Sequence, residues 1–136
     1  YNPRLVVDTA TLTGAIEVAL GQRAAGIFTR DEVLEKRVRE LGEETGEYVW
    51  PMPLWDEYED EIKGTFGDWA NLGKTRYGGA ITAAMFLYQF TKDYPKDTSW
   101  MHIDMASRTT AMDGEYLAKG SVGSPIRLLI RLIEEY

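Results

Sequence analysis

The stretch LVVDTATLTGAIEVAL, residues 5–20, decides the fold class of this chain. An apolar run typical of a buried strand leads into a turn rich in threonine and glycine, and a helical pattern follows. At the carboxyl end of a parallel strand, such a turn directs backbone N–H groups and hydroxyls at the crevice above the sheet. We therefore interpret residues 9–14 as a candidate substrate-binding edge. The alternative is that Thr9, Thr11 and Thr13 only cap the helix, while Gly14 relieves crowding.

Strands and helices are predicted to alternate outward from this stretch, with a loop-dominated middle. The predicted elements are a strand at 5–8, a helix at 14–20, a strand at 25–28, a helix at 32–44, a loop segment with one short helix at 49–77, a helix at 80–90, a strand at 100–105 and a helix at 125–134. This alternation predicts an α/β fold with a parallel sheet. Thr29 and Glu32 have the spacing of a capping box, which predicts a helix start just after Thr29.

Composition limits the functions open to the chain. With 136 residues, 44% hydrophobic content and no cysteine, we expect one globular domain without disulfides, thiol chemistry or thiolate metal sites. The net charge of −7 disfavours nucleic-acid binding, and no apolar run approaches membrane-spanning length. Much of the negative charge alternates with Leu34, Val38 and Leu41 at helical spacing. This pattern predicts a solvated helix face rather than a metal cluster, and the face comprises Glu35, Glu40, Glu43, Glu44 and Glu47.

Few residues of this chain have side chains that commonly act in catalysis. His102 is the only histidine, and no Gly-x-Ser-x-Gly elbow is present, so a Ser-His-Asp hydrolase has no support. We expect His102 to be a core or supporting residue. Asp8 and Asp104 each end an apolar strand, where they either form a metal or acid–base pair or accept hydrogen bonds from turn amides. We prefer the second reading. The hypothesis of a phosphate-binding site at the turn has less support, because no Walker-type Gly-Lys-Ser/Thr follows.

Five sequence blocks together carry a family resemblance. They are DTATLTGA at 8–15, TGEYVWPMPL at 45–54, GGAITAAMFL at 78–87, WMHIDMA at 100–106 and KGSVGSPIRLLIRLI at 119–133. In this order they resemble the leucine (cytosol) aminopeptidase family. The resemblance implies a three-layer α/β/α fold with a mainly parallel sheet. It also implies that residues 1–136 form the C-terminal portion of an incomplete catalytic domain.

The resemblance further implies a metal-dependent reaction. Family members hold two divalent metal ions (Zn or Mn), which activate a water and polarise the scissile carbonyl as N-terminal amino acids are released from peptides. Their ligands are a lysine, several aspartates and a glutamate, which precede the DTATLTGA-like block or lie in an NTDAEGR-type signature, and neither segment occurs here. We therefore expect this chain to contain no catalytic residue and to bind no metal alone. Its expected contribution is a wall of the substrate pocket.

Five positions match substrate-pocket residues of the family. Thr11, Leu12 and Gly14 are placed against the substrate, with Leu12 acting through its backbone N–H. Ala106 matches a further pocket residue, and Thr109 stands where mammalian members have methionine, which implies a smaller and more polar far wall. Ser107 stands where the family usually has glycine. Its added Cβ makes the local pocket geometry uncertain.

Partners are also implied by the resemblance. Family members are cytoplasmic hexamers that act on peptides, and the last helix of this chain is apolar on more than one face, so we expect it to be buried on several sides. The expected partners are therefore a peptide substrate, the missing upstream segment or a full-length subunit, and further copies of the protein. No nucleic acid or membrane is expected. The alternative function is that of a non-catalytic truncated paralogue, which binds a peptide or a subunit.

The absence of the family's ligand segments predicts that the isolated 136-residue chain has no peptidase activity. The measurement is release of the amino acid from an aminoacyl amide by the purified chain, with zinc or manganese supplied. Appreciable cleavage that a chelator abolishes contradicts this prediction.

Overall fold

A four-stranded sheet with helices on both faces forms the centre of the chain, and the computed structural model describes residues 1–136. The strands are β1 (Leu5–Ala10), β2 (Ala25–Thr29), β3 (Val49–Pro51) and β4 (Ser99–Asp104), in the spatial order β1-β4-β2-β3. The helices are α1 (Gly14–Leu20), α2 (Glu32–Thr45), α3 (Glu59–Ile62), α4 (Gly79–Gln89) and α5 (Ile126–Glu135). The predicted α/β class is thereby confirmed. The short strand β3 lies inside the segment predicted to be loop and one helix.

Strand direction follows from the lengths of the connecting helices. The pairs β1–β4 and β2–β3 are parallel, whereas the central pair β2–β4 is antiparallel. Helix α2 has 14 residues, so it extends about 21 Å and returns the chain across the sheet to start a parallel strand. Helix α1 has only 7 residues and extends about 10 Å. It is too short to return the chain to the start of β1, and β2 therefore runs in the opposite direction.

The register of β1 and β4 places three polar side chains on one face of the sheet. Asp8 pairs with His102, and Ala10 pairs with Asp104. Side chains at paired positions point to the same side, and so do residues two apart along a strand. Asp8, His102 and Asp104 therefore share the face that α1 and α4 cover.

Apolar clusters fill both faces of the sheet. One cluster lies beneath α2 and α5 and consists of Ala25, Ile27, Leu34, Val38, Leu41, Val49, Met101, Ile103, Leu128 and Leu132. The other lies beneath α1 and α4 and consists of Ile16, Phe28, Leu54, Ile62, Ala80, Ile81, Ala84, Met85 and Trp100. This arrangement is the predicted three-layer architecture.

Glycine allows α1 to pack closely on the sheet and on α4. A Cβ at Gly26 of β2 would lie 2.5 Å from the Ile16 Cδ1 atom, and one at Gly79 would lie 3.2 Å from the Ala15 Cβ atom. Both distances are shorter than ordinary contacts. The close packing holds the N-terminus of α1, and hence the turn that precedes it, against the strand ends.

Helix α2 is capped by Asp31, not by Thr29 as the capping-box spacing predicted. The Asp31 carboxylate accepts hydrogen bonds from the N–H groups of Val33 and Leu34, both at 3.0 Å. Thr29 ends β2 instead, and its hydroxyl donates to the Trp100 carbonyl at 2.7 Å. Because the Thr29 hydroxyl is bonded within the sheet, Asp31 is the next residue with a suitable side chain, and it caps the helix. A hydrogen bond from Ser99 and those from α2 lower the pKa of Asp31 below its ordinary value.

Glu47 does not lie on the solvated face predicted for the α2 glutamates. Helix α2 ends at Thr45, so helical spacing no longer applies to Glu47, whose side chain is only 4% exposed. Its carboxylate accepts the Leu128 N–H at 2.8 Å and lies 3.4 Å from the Nε atom of Arg127. Glu47 therefore satisfies a backbone donor in the first turn of α5 and joins that helix to the end of α2.

Helix α5 is buried along one face within this chain, and the burial of its other faces stays a prediction for the oligomer. Leu128 and Leu132 are buried, whereas Ile126, Ile130 and Ile133 are 58%, 51% and 73% exposed. Leu129 lies between these groups and packs partly against the core. None of the helices combines the length and apolar character that a bilayer-spanning segment requires.

Removing the Glu47 carboxylate is expected to destabilise the protein. Glu47→Ala leaves the buried Leu128 N–H without a partner, so we expect a loss of about 2 kcal/mol in the free energy of unfolding. Equilibrium unfolding in urea measures this loss. The matched control is Glu43→Ala, which removes an exposed carboxylate near the end of α2 and is expected to change stability by less than about 0.5 kcal/mol. Equal effects of the two substitutions contradict the capping role of Glu47.

Candidate functional site

The carboxylate of Asp104 organises the turn between β1 and α1. Its Oδ1 atom accepts the N–H groups of Leu12 at 3.0 Å and Ala106 at 3.2 Å, with a longer contact of 3.5 Å to the Thr13 N–H. Its Oδ2 atom accepts the Thr13 hydroxyl at 2.7 Å. Asp104 is fully buried, and these donors supply the hydrogen bonds that a buried carboxylate requires. The preferred reading of Asp104, as an acceptor of turn amides, is confirmed.

The three threonines of the turn have different roles. Thr13 is the N-cap of α1, because its side-chain oxygen also accepts the Ile16 N–H at 3.2 Å. Thr9 lies with its hydroxyl 3.3 Å from the Met105 sulfur. The Thr11 side chain is exposed and makes no hydrogen bond within the chain. The capping alternative therefore holds for Thr13 and leaves Thr11 free to meet a ligand.

The N–H of Leu12, through which the family resemblance implies contact with the substrate, donates a hydrogen bond within the chain. This donor points at Asp104 Oδ1 and not at the open side of the turn. Gly14 is exposed, and a Cβ placed there would meet no atom within 4 Å. The parts of the turn that face open space are therefore Thr11 and Gly14.

A short 3₁₀ helix, Ala106–Arg108, brings a second candidate segment to the same carboxylate. Ala106 shares Asp104 with the turn through its N–H. Ser107 has no positive φ, and its hydroxyl donates to the Ala24 carbonyl at 2.6 Å, so its Cβ fits without the freedom of glycine. Thr109 follows in an exposed position, and no hydrogen bond links it to the Asp104 cluster.

Arg108 fixes the end of this 3₁₀ helix. Its buried guanidinium donates to the Gln22 carbonyl at 2.6 Å and to the Glu115 carboxylate at 3.0 Å. Glu115 also accepts the Met112 N–H at 2.9 Å. The Met112 hydrogen bond and the neighbouring Arg108 charge lower the pKa of Glu115 below its ordinary value. The ion pair is thus fully formed at neutral pH, and the hydrogen bond to Gln22 anchors the segment to the loop after α1.

A second hydrogen-bond cluster surrounds Asp8 of β1 and His102 of β4, a pair that lies two residues before the Ala10–Asp104 pair. The Asp8 carboxylate accepts the Trp100 indole N–H at 2.7 Å and lies 2.5 Å from the Nδ1 atom of His102. The donors are therefore side chains, not the turn amides predicted for Asp8. His102 is fully buried, in agreement with the supporting role expected of it, and its Nε2 atom has no partner within the chain. The cluster ties β1 to β4 beneath the site.

The residues of this chain do not form a metal centre. No group of three or more histidine, cysteine, aspartate or glutamate side chains is close enough to hold an ion. Asp104 at the end of β4 and Asp8 within β1 are occupied as well, since Asp104 holds the turn and Asp8 holds Trp100 and His102. This geometry argues against the rival reading of Asp8 and Asp104 as a metal or acid–base pair.

Sequence reasoning missed the loop that faces the turn. A cavity of about 580 Å³ is bounded on one side by Leu12 and Thr13 and on the other by residues 71–76 and the start of α4. This loop shows no hydrophobic periodicity, so its place beside the turn was not predictable from a pattern. The available signal was charge, because Lys74 and Arg76 stand close together in an acidic chain.

Comparison with known proteins shows the family. The sequence profile described as "Cytosol aminopeptidase family, catalytic domain" matches residues 1–130. The chain belongs to the cytosol aminopeptidase family. A "Probable cytosol aminopeptidase" of Histophilus somni (strain 129Pt) is 45% identical over 133 residues, and one of Chlorobium limicola is 43% identical over 136 residues. A solved structure of a tomato leucine aminopeptidase mutant has a TM-score of 0.86 at 35% identity and covers 98% of the chain.

The chain corresponds to about a quarter of these family members. The matched region makes up 25% of the Histophilus protein, 26% of the Chlorobium protein and 25% of the tomato structure. It covers 98%, 100% and 98% of this chain respectively. The family resemblance predicted from the five sequence blocks is therefore confirmed over nearly the whole chain.

Loss of the Asp104 carboxylate is expected to unfold the turn. Asp104→Ala leaves the Leu12 and Ala106 N–H groups and the Thr13 hydroxyl without their acceptor, so we expect a loss of about 3 kcal/mol in the free energy of unfolding. Urea unfolding measures the loss. The control Asp97→Ala removes an exposed carboxylate without hydrogen bonds and is expected to change stability by less than about 0.5 kcal/mol. An Asp104→Ala protein as stable as this control contradicts the organising role.

Proposed function

We propose that the chain is the C-terminal portion, residues 1–136, of the catalytic domain of a metal-dependent aminopeptidase. In this proposal the enzyme releases N-terminal amino acids from peptides. The observation that carries the proposal is the match of the family's catalytic-domain profile to residues 1–130. The fold likeness to a leucine aminopeptidase supports it.

The proposed contribution of the chain is one wall of the substrate pocket. Thr11 and Gly14 offer an exposed hydroxyl and an open backbone, and Ala106 is held beside them by the shared Asp104 carboxylate. Thr109 adds a polar group at the far side, and Leu12 is proposed to contact the substrate through its backbone N–H, which donates to Asp104 within the chain. Because a buried carboxylate fixes the wall before a ligand arrives, binding needs little reorganisation.

The proposal assigns the metals to residues outside this chain. The carboxylates of Asp8 and Asp104 already have hydrogen-bond partners, and the side chains do not fit an ion. Two divalent ions, zinc or manganese, are the cofactors proposed for the whole domain. We also propose a cytoplasmic homo-oligomer, a hexamer as in the family. The exposed isoleucines of α5 are one surface available for its contacts.

Peptidase activity of the protein expressed from its full reading frame tests this function. We expect release of leucine from leucinamide, loss of activity with a chelator, and recovery when zinc or manganese is added back. N-acetyl-leucinamide is the matched control, because it lacks the free amino terminus and is expected to resist cleavage. Absence of cleavage, or cleavage that a chelator does not affect, contradicts the proposal.

A further inference from the structure

We propose that Lys74 and Arg76 bind the C-terminal carboxylate of short peptide substrates and make the enzyme selective for peptides with a free carboxyl end. The inference rests on the proposed function and concerns the cavity of about 580 Å³ beside the Leu12–Thr13 turn. A volume of this order suits a small ligand. The substrate class that follows is the unblocked dipeptide or tripeptide.

The two cations lack anionic partners within the chain. Lys74 and Arg76 are both exposed, and neither side chain takes part in an ion pair. The chain carries a net charge of −7, and most of its other arginines are paired with carboxylates. Lys74 and Arg76 are two unpaired cations that line the same cavity. Their positive charge is available to a ligand in the cavity.

The nearby carboxylates of Glu61 and Asp60 have partners other than Lys74 and Arg76. Glu61 accepts the Thr75 N–H at 3.2 Å and the Thr75 hydroxyl at 3.1 Å. Asp60 pairs with Lys63 at 2.5 Å, and this contact is the main reason why the pKa of Asp60 lies below its ordinary value, with Lys74 the smallest contribution. Neither carboxylate forms an ion pair with Lys74 or Arg76, so the hydrogen-bond donors of both cations remain open to a ligand.

Backbone hydrogen bonds hold the loop in place. The Lys74 N–H donates to the Glu61 carbonyl at 2.9 Å, and the Ala70 N–H donates to the Ile62 carbonyl at 2.8 Å. Together with the Thr75 contacts, these bonds attach residues 70–75 to α3. The loop presents its two cations from a fixed backbone, and ordering it on binding costs little conformational entropy.

The cations face the turn across the cavity, and this position indicates which class of ligand can contact both. Of the residues in the proposed wall, Leu12 lines the cavity, beside Thr13 and on the side facing the two cations. A guanidinium pairs with a carboxylate through two parallel hydrogen bonds, and an ammonium adds a point charge. A peptide short enough to span the cavity would place its carboxylate at this pair. A carboxamide in that position carries no charge, so its binding to the two cations is weaker.

The test compares leucylglycine with leucylglycinamide in the protein expressed from its full reading frame. The variants are K74A/R76A and K74Q/R76Q, of which the second keeps polar side chains without charge, and the control K36A/K96A removes two exposed cations outside the cavity. We expect the wild type to prefer the free acid. In the variants, kcat/KM for leucylglycine should fall at least about tenfold, mainly through KM, and the preference over the amide should disappear.

Three outcomes overturn the inference. These are a wild type without preference for the free acid, variants that keep the preference, and variants that lose activity equally on both substrates. The control K36A/K96A must keep the preference, because the inference assigns the effect to the position of the charge and not to net charge. A wild-type protein that cleaves neither substrate overturns the proposed function itself, and the inference with it.

Discussion

The hydrogen bonds of the Asp104 carboxylate are the interaction on which the candidate site depends. They join the end of β4 to residues 92 positions earlier, at the turn after β1. The parallel register of the two strands brings Ala10 and Asp104 side by side, so the carboxylate reaches the turn directly. The same group holds Ala106, and a single buried anion thereby fixes two segments of the proposed pocket wall. A site held in this way is preorganised before substrate binds.

The opposite face of the sheet uses the same physical device. Glu47 is buried after α2 and accepts the Leu128 N–H at the start of α5, across 81 positions in the chain. In both places a carboxylate satisfies backbone donors that a helix or turn leaves without partners. Surface ion pairs add a weaker link between α2 and α5, where Arg37 of α2 contacts Glu135 and Arg131 of α5 contacts Glu44. Buried carboxylates therefore attach the irregular segments, while apolar packing forms the layers.

The sequence predicted the regular elements well and the polar contacts less well. Helices α1, α2, α4 and α5 lie within one residue or so of their predicted ranges, because hydrophobic periodicity reports which face of a helix packs. The antiparallel direction of β2 was not predictable from alternation alone, since it depends on how far α1 carries the chain. Glu47 was misplaced because helical spacing was extended past the end of α2. The roles of Asp31, Asp8 and the Lys74–Arg76 loop follow from contacts between distant segments, which no local pattern encodes.

The most direct measurement of the central claim is a crystal structure of the protein expressed from its full reading frame, with a non-hydrolysable peptide analogue bound. We expect the side chain of the analogue's first residue to lie against Thr11, Gly14 and Ala106, while Asp104 still accepts the Thr13 hydroxyl and the Ala106 N–H. An analogue bound away from this turn, or an Asp104 carboxylate that has lost these two donors, contradicts the organising role of Asp104.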